Sequence, residues 1–498
     1  MKIPALQPNV VIPLAISLNE RGVAGFANSI TNGIDQLKIN SFYEPVKNAF
    51  TGQATLYVVK RPGVTIDNNA YGTSNHTGYL VQRAPSLGSA WIFSNISTST
   101  IASDSQVTTH ITTFSNLLGG TRPCYSDHTN ISGVENLVLQ LRNGSLVQSV
   151  FYSQDISSFI KITTSNFTDI NILGKMEFMD GYAFGMNSSN RIYNSVLNSL
   201  SSWAATDYFT KQIRQDAAAG LARRGSQILA FGYETVEVLF NAGYPSGSPL
   251  ETIKHLAGNY GIFPQLSNKM GHYYTNLGSR LYFFGRTAVN GGAGVFAYDG
   301  SGFSKVSHGA VDKILLSNDL STVYSVDRVR FGGKTAVSFA LDQVSSTTQR
   351  WLLYFPEWND WFQWNSTIFS PVNAWGYHLG LGTSSHRLYQ FLFGDKWQDD
   401  TTNYTMTHQF KLPSKTNQWQ TMPMCGLRAD TSRSAQNLNI EFSDDDYQTW
   451  QTLRTIDLTT PDKQITRCGA WRGQRAVRLT SDPGNLEVRL EMFMARIE

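Results

Sequence analysis

Charge is scarce in this 498-residue chain. Only 15% of residues are Asp, Glu, Lys or Arg, and 40 basic against 37 acidic residues leave a net charge of +3. Globular proteins carry about 25% charged residues. A chain so nearly neutral lacks the basic stripe that tight binding to nucleic-acid phosphates requires. Long apolar runs are absent too. The apolar stretch nearest the N-terminus, Val10 to Leu18, is broken by Pro13, followed by Glu20 and Arg21, and is half the length of a membrane span. The expectation is a soluble protein with no membrane span. Three cysteines, Cys124, Cys425 and Cys468, make neither a disulfide framework nor a zinc spacing, which fits a reducing compartment and buried thiols. Eight Asn-X-Ser/Thr triplets in a chain rich in those residues are read as chance.

Signatures of catalysis are missing as well. Nine histidines are scattered without helical ligand spacing, and no Gly-x-Ser-x-Gly elbow or His-Glu-x-x-His occurs. Gly332 to Thr335 has the tail of a phosphate-binding loop, but Arg328 stands where its first glycine belongs, so a tight hairpin turn is expected there. No catalytic residue, cofactor or metal ligand is assigned, and the chain is read as a non-enzyme.

What is present is an all-β pattern. Aromatics make up 12% and glycines number 41. From about 41 to 400, apolar strands alternate with Gly, Asn, Asp and Ser turns, as in segments 135–152, 176–197, 225–243, 279–300, 327–342, 350–365 and 374–395. Their recurrence at roughly 35 to 55 residues is the spacing of propeller blades. The expected architecture is an extended N-terminal arm over 1–40, an irregular β-propeller over 41–400 and a small C-terminal β-sandwich over 401–498. A pair of large β-sandwiches is the alternative. Thr206 to Gly225 reads either as a helix, from its Ala run and its Arg-Arg-Gly end, or as a loop entering the next strand.

Three local features invite a function. Ser443 to Trp450 (SDDDYQTW) is close to the Asp-box turn, with Tyr447 in the glycine position; such turns are structural. Trp351, Trp358, Trp361, Trp364 and Trp375 crowd one stretch, where aromatics either fill the space between blades or form a contact surface. Arg467, Arg472, Arg475, Arg478, Arg489 and Arg496 make the C-terminus locally basic, a solvated face or a partner surface. Trp358, Trp361, Trp364, Arg472 and Arg475 are the candidate interface residues.

Several of these segments together resemble the packaged-DNA stabilisation proteins, the tail-hub or nozzle subunits of short-tailed phages. The likeness runs through LYVVKRPGV (56–64), RRGSQILAFGYETVEVLFNAG (223–243), Leu277-Gly278, the run 291–315, YFPEWNDWFQW (354–364), SDDDYQTW and the block 468–498, in that order. It is absent from the first 40 residues and weak between about 65 and 175. The resemblance implies a virion protein made in the host cytoplasm and built into the tail. It implies a hexameric ring beneath the portal and its adaptor that extends the DNA channel and retains the packaged genome. Tail spikes or fibres and a needle or tip would attach to the ring. Double-stranded DNA would pass through the lumen without sequence-specific binding. A glycan-binding or glycan-hydrolysing propeller of the sialidase kind, and a host-surface spike, are the other classes considered.

Overall fold

Two-residue turns set the strand spacing. In the computed structural model, Asp180-Gly181 and Gly332-Gly333 both take left-handed backbone (φ 52°, 83°, 50° and 77°). Each pair joins two antiparallel strands, Glu177–Met179 to Tyr182–Met186 and Ser325–Phe331 to Lys334–Ser345. Positive φ at both central positions matches the right-handed twist of the flanking strands, which is why Asp-Gly and Gly-Gly stand there. The Gly332–Thr335 segment is therefore a hairpin turn. The structure describes residues 8–15, 37–47, 54–66, 77–81, 91–95, 100–104, 109–113, 122–131, 133–143, 146–154, 160–213, 216–262, 273–287, 292–317, 325–345, 348–366, 368–374, 377–382, 388–392, 396–399, 401–412, 418–434, 436–445, 447–460 and 463–498.

Two compact units are formed. One comprises residues 67–349 and 368–389, the other 1–66, 350–367 and 390–498. The expected boundaries were at 40 and 400; here residues 1–66 and 350–367 group with 390–498.

The first unit is a β-propeller. Four antiparallel meanders follow one another along the chain, with four strands each, spanning Thr77 to Thr113, Arg122 to Lys161, Glu177 to Thr210 and Ala218 to Thr252; a five-stranded sheet spans Tyr260 to Lys305. The hairpin Ser325–Phe331/Lys334–Ser345 and the hairpin Ile368–Ala374/Tyr377–Gly382 come next. Strand Ile368–Ala374 lies against both Ser325–Phe331 and Thr77–Val81, so the series returns to its start. A single meander is marginal in water, and stacking neighbours supplies the core. The packing follows that logic. One apolar cluster joins Val138 and Val150 of the second sheet to Phe178 and Trp203 of the third. Another joins Phe184 and Ile192 to Leu221 and Leu239. A third joins Leu229 and Phe231 to Phe283 and Phe296.

The described residues of the 206–225 segment, 206–213 and 216–225, are not helical. Trp203–Thr210 is the last strand of one sheet and Ala218–Arg224 the first of the next. Ala218 through Ala222 are all buried, and their small side chains suit a strand pressed between layers, so packing overrides the helix propensity of alanine. The following turn ties two sheets together: Arg224 Nε donates to the Ser279 carbonyl at 2.7 Å, and Tyr298 Oη donates to Gln227 at 2.8 Å.

The second unit is a β-sandwich assembled from three separate parts of the chain. One sheet orders Ser41–Lys47, Ala54–Lys60, Arg489–Arg496, Met424–Ala429 and Gln464–Thr466, with Val10–Pro13 also paired to Arg489–Arg496. The other contains Asp360–Ser366, Leu37–Ile39, Thr407–Lys411, Ala476–Ser481, Asn437–Ser443 and Gln451–Asp457. Phe410 meets Phe493 edge-on at 5.4 Å between the layers. The described parts of the N-terminal arm are thus strands of this sandwich, with Val10 in register with Ala495 and Leu37 with Gln409.

Candidate functional site

The KRPG motif builds a buried ionic centre within the sandwich unit. The Arg61 side chain is fully enclosed and uses all five of its donors. Nη1 and Nη2 make a bidentate pair with Asp399 at 2.8 and 2.6 Å, Nε donates to Asn40 Oδ1 at 3.1 Å, and the carbonyls of Pro62 and Asn365 accept at 3.0 and 2.7 Å. Tyr404 stacks on the guanidinium at 3.8 Å and returns a hydrogen bond from its hydroxyl to the Arg61 carbonyl at 2.6 Å. A buried ion pair is tolerable only when its remaining donors are satisfied, and here they are. Gly63 follows because a Cβ there would stand 2.2 Å from the backbone oxygen of Gln398. Burial first, and then the Arg61 charge beside it, bring the Lys60 ammonium down to about 7. Asn40, Asp399 and Tyr404 were not legible as a site, since nothing in their sequence neighbourhoods marks a common contact.

The tryptophans pack beside this centre, in the interior. Trp358, Trp361 and Trp364 are 7%, 6% and 0% exposed. Tyr43 meets Trp358 and Phe362 edge-on at 5.5 and 4.8 Å, and Trp364 Nε1 donates to the Ser41 carbonyl at 2.7 Å. Lys38 and the Tyr43 hydroxyl both bond the Asp360 carboxylate. The hairpin is a core element that fastens residues 38–43. All three rings, expected at an interface, lie in the interior of this unit. Trp375 lies outside the described residues.

The C-terminal arginines are mostly neutralised. Arg475 is 4% exposed and bidentate to Asp444 at 2.6 and 2.6 Å. Arg478 is bidentate to Glu441 at 2.6 and 2.8 Å, Arg489 pairs with Glu44 and Glu487, and Arg496 with Glu498. Of the six arginines singled out in the sequence, Arg467 and Arg472 are the two that are exposed with no carboxylate partner among the described residues. Arg475 is thus a structural residue, and Arg472 alone of the five candidates is at the surface. It stands opposite Trp419, which is 71% exposed.

The Asp-box turn closes this corner. Asp445 accepts hydrogen bonds from the Thr449 hydroxyl, the Thr449 N–H at 2.9 Å and the Ser443 hydroxyl at 2.7 Å. These bonds hold its carboxyl down at about 2. Tyr447 takes φ +71°, so the left-handed turn survives without its glycine. Beside the turn is a cavity of about 440 Å³, lined mainly by polar groups that include Asp444, Asp445, Arg467, Cys468 and Arg475. Asp444 and Asp445 both make bonds that hold the corner. Among the described residues no group of three or more His, Cys, Asp or Glu could hold a metal.

No protein family and no curated protein matches the chain. Among solved structures, it is similar to the WD40 repeats of RRP9 (11% identity, 67% of this chain and 99% of that one, TM-score 0.39). It is also similar to BBS1N in complex with ARL6DN (10%, 67% and 98%, 0.39) and human WBSCR16 (10%, 72% and 94%, 0.34). These values add nothing to the strand pairing from which the propeller is read.

Proposed function

We propose that this chain is a structural subunit of the tail hub, or nozzle, of a short-tailed phage. Copies would form a ring, expected to be six-fold, below the portal and its adaptor. The ring would extend the DNA channel, retain the packaged genome, and carry spikes or fibres and a needle. The observation that supports it most is how the resembling motifs are used. KRPG, WNDWFQW and SDDDYQTW go into buried ion pairs, core aromatics and a hydrogen-bonded turn. Motifs devoted to rigidity suit a part whose work is to hold shape under load. The paired arginines also agree with a surface that lets a phosphate backbone slide, since uncompensated Lys and Arg would grip it.

Electron microscopy of the purified chain tests this. Six-fold rings with a central channel of roughly 20–40 Å, wide enough for duplex DNA, are the expected result. Monomers that stay monomeric with portal and adaptor present, and that bind oligosaccharides on a glycan array, would replace the reading with a glycan-binding propeller.

A further inference from the structure

We infer that Cys425 and Cys468 are an oxidisable dithiol, a modification site that a peroxide reaches through the cavity beside the Asp445 turn. The inference is independent of the hub reading. Both cysteines are free and buried, 0% and 2% exposed, and their sulfurs stand 3.4 Å apart. Cys425 lies on strand Met424–Ala429, in register with Ile465 of Gln464–Thr466, and Cys468 follows that strand. The Cys468 N–H donates to the Met422 carbonyl at 2.9 Å, which fixes the second sulfur over the first. A disulfide needs about 2.05 Å, so the two sulfurs must approach by a little over 1 Å to bond.

The two sulfurs are not equivalent. Cys468 is among the residues that line the 440 Å³ cavity, and Cys425 is not. Arg475 donates from Nη1 to the Cys468 carbonyl at 2.9 Å, and its charge, shared with Asp444, favours the thiolate at both sulfurs. The S–H···S contact between the thiols favours the thiolate at Cys468 and disfavours it at Cys425, while burial opposes ionisation of both. Thiolate character and access together select the sulfur that reacts first.

The chemistry balances with hydrogen peroxide as the oxidant. The Cys468 thiolate attacks one peroxide oxygen; an S–O bond forms, the O–O bond breaks, and hydroxide leaves, giving the sulfenic acid. The Cys425 sulfur then attacks Cys468 Sγ. The S–S bond forms, the S–O bond breaks, and the hydroxyl leaves as water with the Cys425 proton. Two thiols are oxidised and one peroxide is reduced to two waters.

The test uses the full-length chain, reduced and then treated with a few equivalents of hydrogen peroxide near neutral pH. Remaining thiols are blocked, and the chain is digested without reductant and mapped by mass spectrometry. A peptide pair joining Cys425 to Cys468, removed by dithiothreitol, is expected, with the thermal midpoint raised by about 5 °C. In Cys425→Ser, dimedone should trap sulfenic acid at Cys468. In Cys468→Ser, Cys425 should label at least about tenfold more slowly, as a shielded thiol does. The map of the unaltered chain decides the matter even if either variant fails to fold. Recovery of both cysteines unoxidised, at a peroxide dose that cross-links the urea-unfolded chain, would overturn the inference. Equal labelling of the two single variants would overturn the assigned order of attack.

Discussion

Arg61 and Asp399 stand 338 residues apart in the chain and meet through two parallel hydrogen bonds, with side chains 0% and 4% exposed. Removing one partner leaves the other charged and out of water. Asp399→Asn should therefore destabilise the sandwich unit by about 3–5 kcal/mol in urea unfolding. Adding Arg61→Met to that variant should cost less than the two single changes summed, because no stranded charge remains. Strict additivity would mean that the pair does not act as a unit.

The tryptophan hairpin separates a core role from a surface role. Trp364→Ala removes a fully buried ring and orphans the Ser41 carbonyl, so a loss of about 3–5 kcal/mol is expected. Trp358→Ala and Trp361→Ala should behave similarly. Arg472→Ala, at an exposed strand end, should stay within about 0.5 kcal/mol of the parent. Thermal melts at several protein concentrations check both expectations. Tryptophan variants that melt like the parent but fail to self-associate would restore the surface reading.

How much of this was legible follows from the range of the interactions. Blade hairpins are local: Asp180-Gly181 and Gly332-Gly333 announce their turns within four residues, and period-2 alternation marks the strands on either side. The sandwich is not local. Its sheets take strands from 10–13, 37–47, 54–60 and 360–366, and no short-range pattern says that Val10 pairs with Ala495. The tryptophans were visible as a cluster, but a sequence does not tell a buried aromatic from an exposed one. The arginine stripe had the same defect, since Glu441 and Asp444 lie 37 and 31 residues from their partners. Residues 206–225 misled because helix propensity is local, whereas burial between sheets is set by distant neighbours.

Tyr447 occupies a backbone region that costs most residues about 1 kcal/mol and β-branched residues more. Its ring recovers part of that through Trp450 at 6.0 Å and Lys411 at 5.0 Å. Tyr447→Gly relieves the backbone and loses the ring contacts, so it should lie within about 1 kcal/mol of the parent. Tyr447→Val loses the contacts and keeps the strain, so it should be less stable than the glycine variant by at least about 1 kcal/mol. Chemical denaturation of the two side by side measures the difference. Equal stabilities would show that the turn changes its geometry to suit the side chain.

A pH dependence is expected from Asp327, on strand Ser325–Phe331 of the propeller. Its carboxyl Oδ2 is sealed from water, and burial pushes its pKa up to about 7 against the opposing hydrogen bond of Ser325. In the unfolded chain the group titrates near 3.9. The folded protein therefore keeps a proton that the unfolded chain releases. Stability from this group is complete below about pH 4 and is lost as pH rises to about 7. Asp327→Asn keeps a neutral side chain of the same shape at every pH. The variant should match the parent within about 0.5 kcal/mol near pH 4 and exceed it by about 1 kcal/mol or more near pH 8. Denaturant unfolding at the two pH values reads the crossover directly. If the difference between variant and parent is the same at both, Asp327 is ionised in the folded state and its pocket is wetter than its geometry indicates.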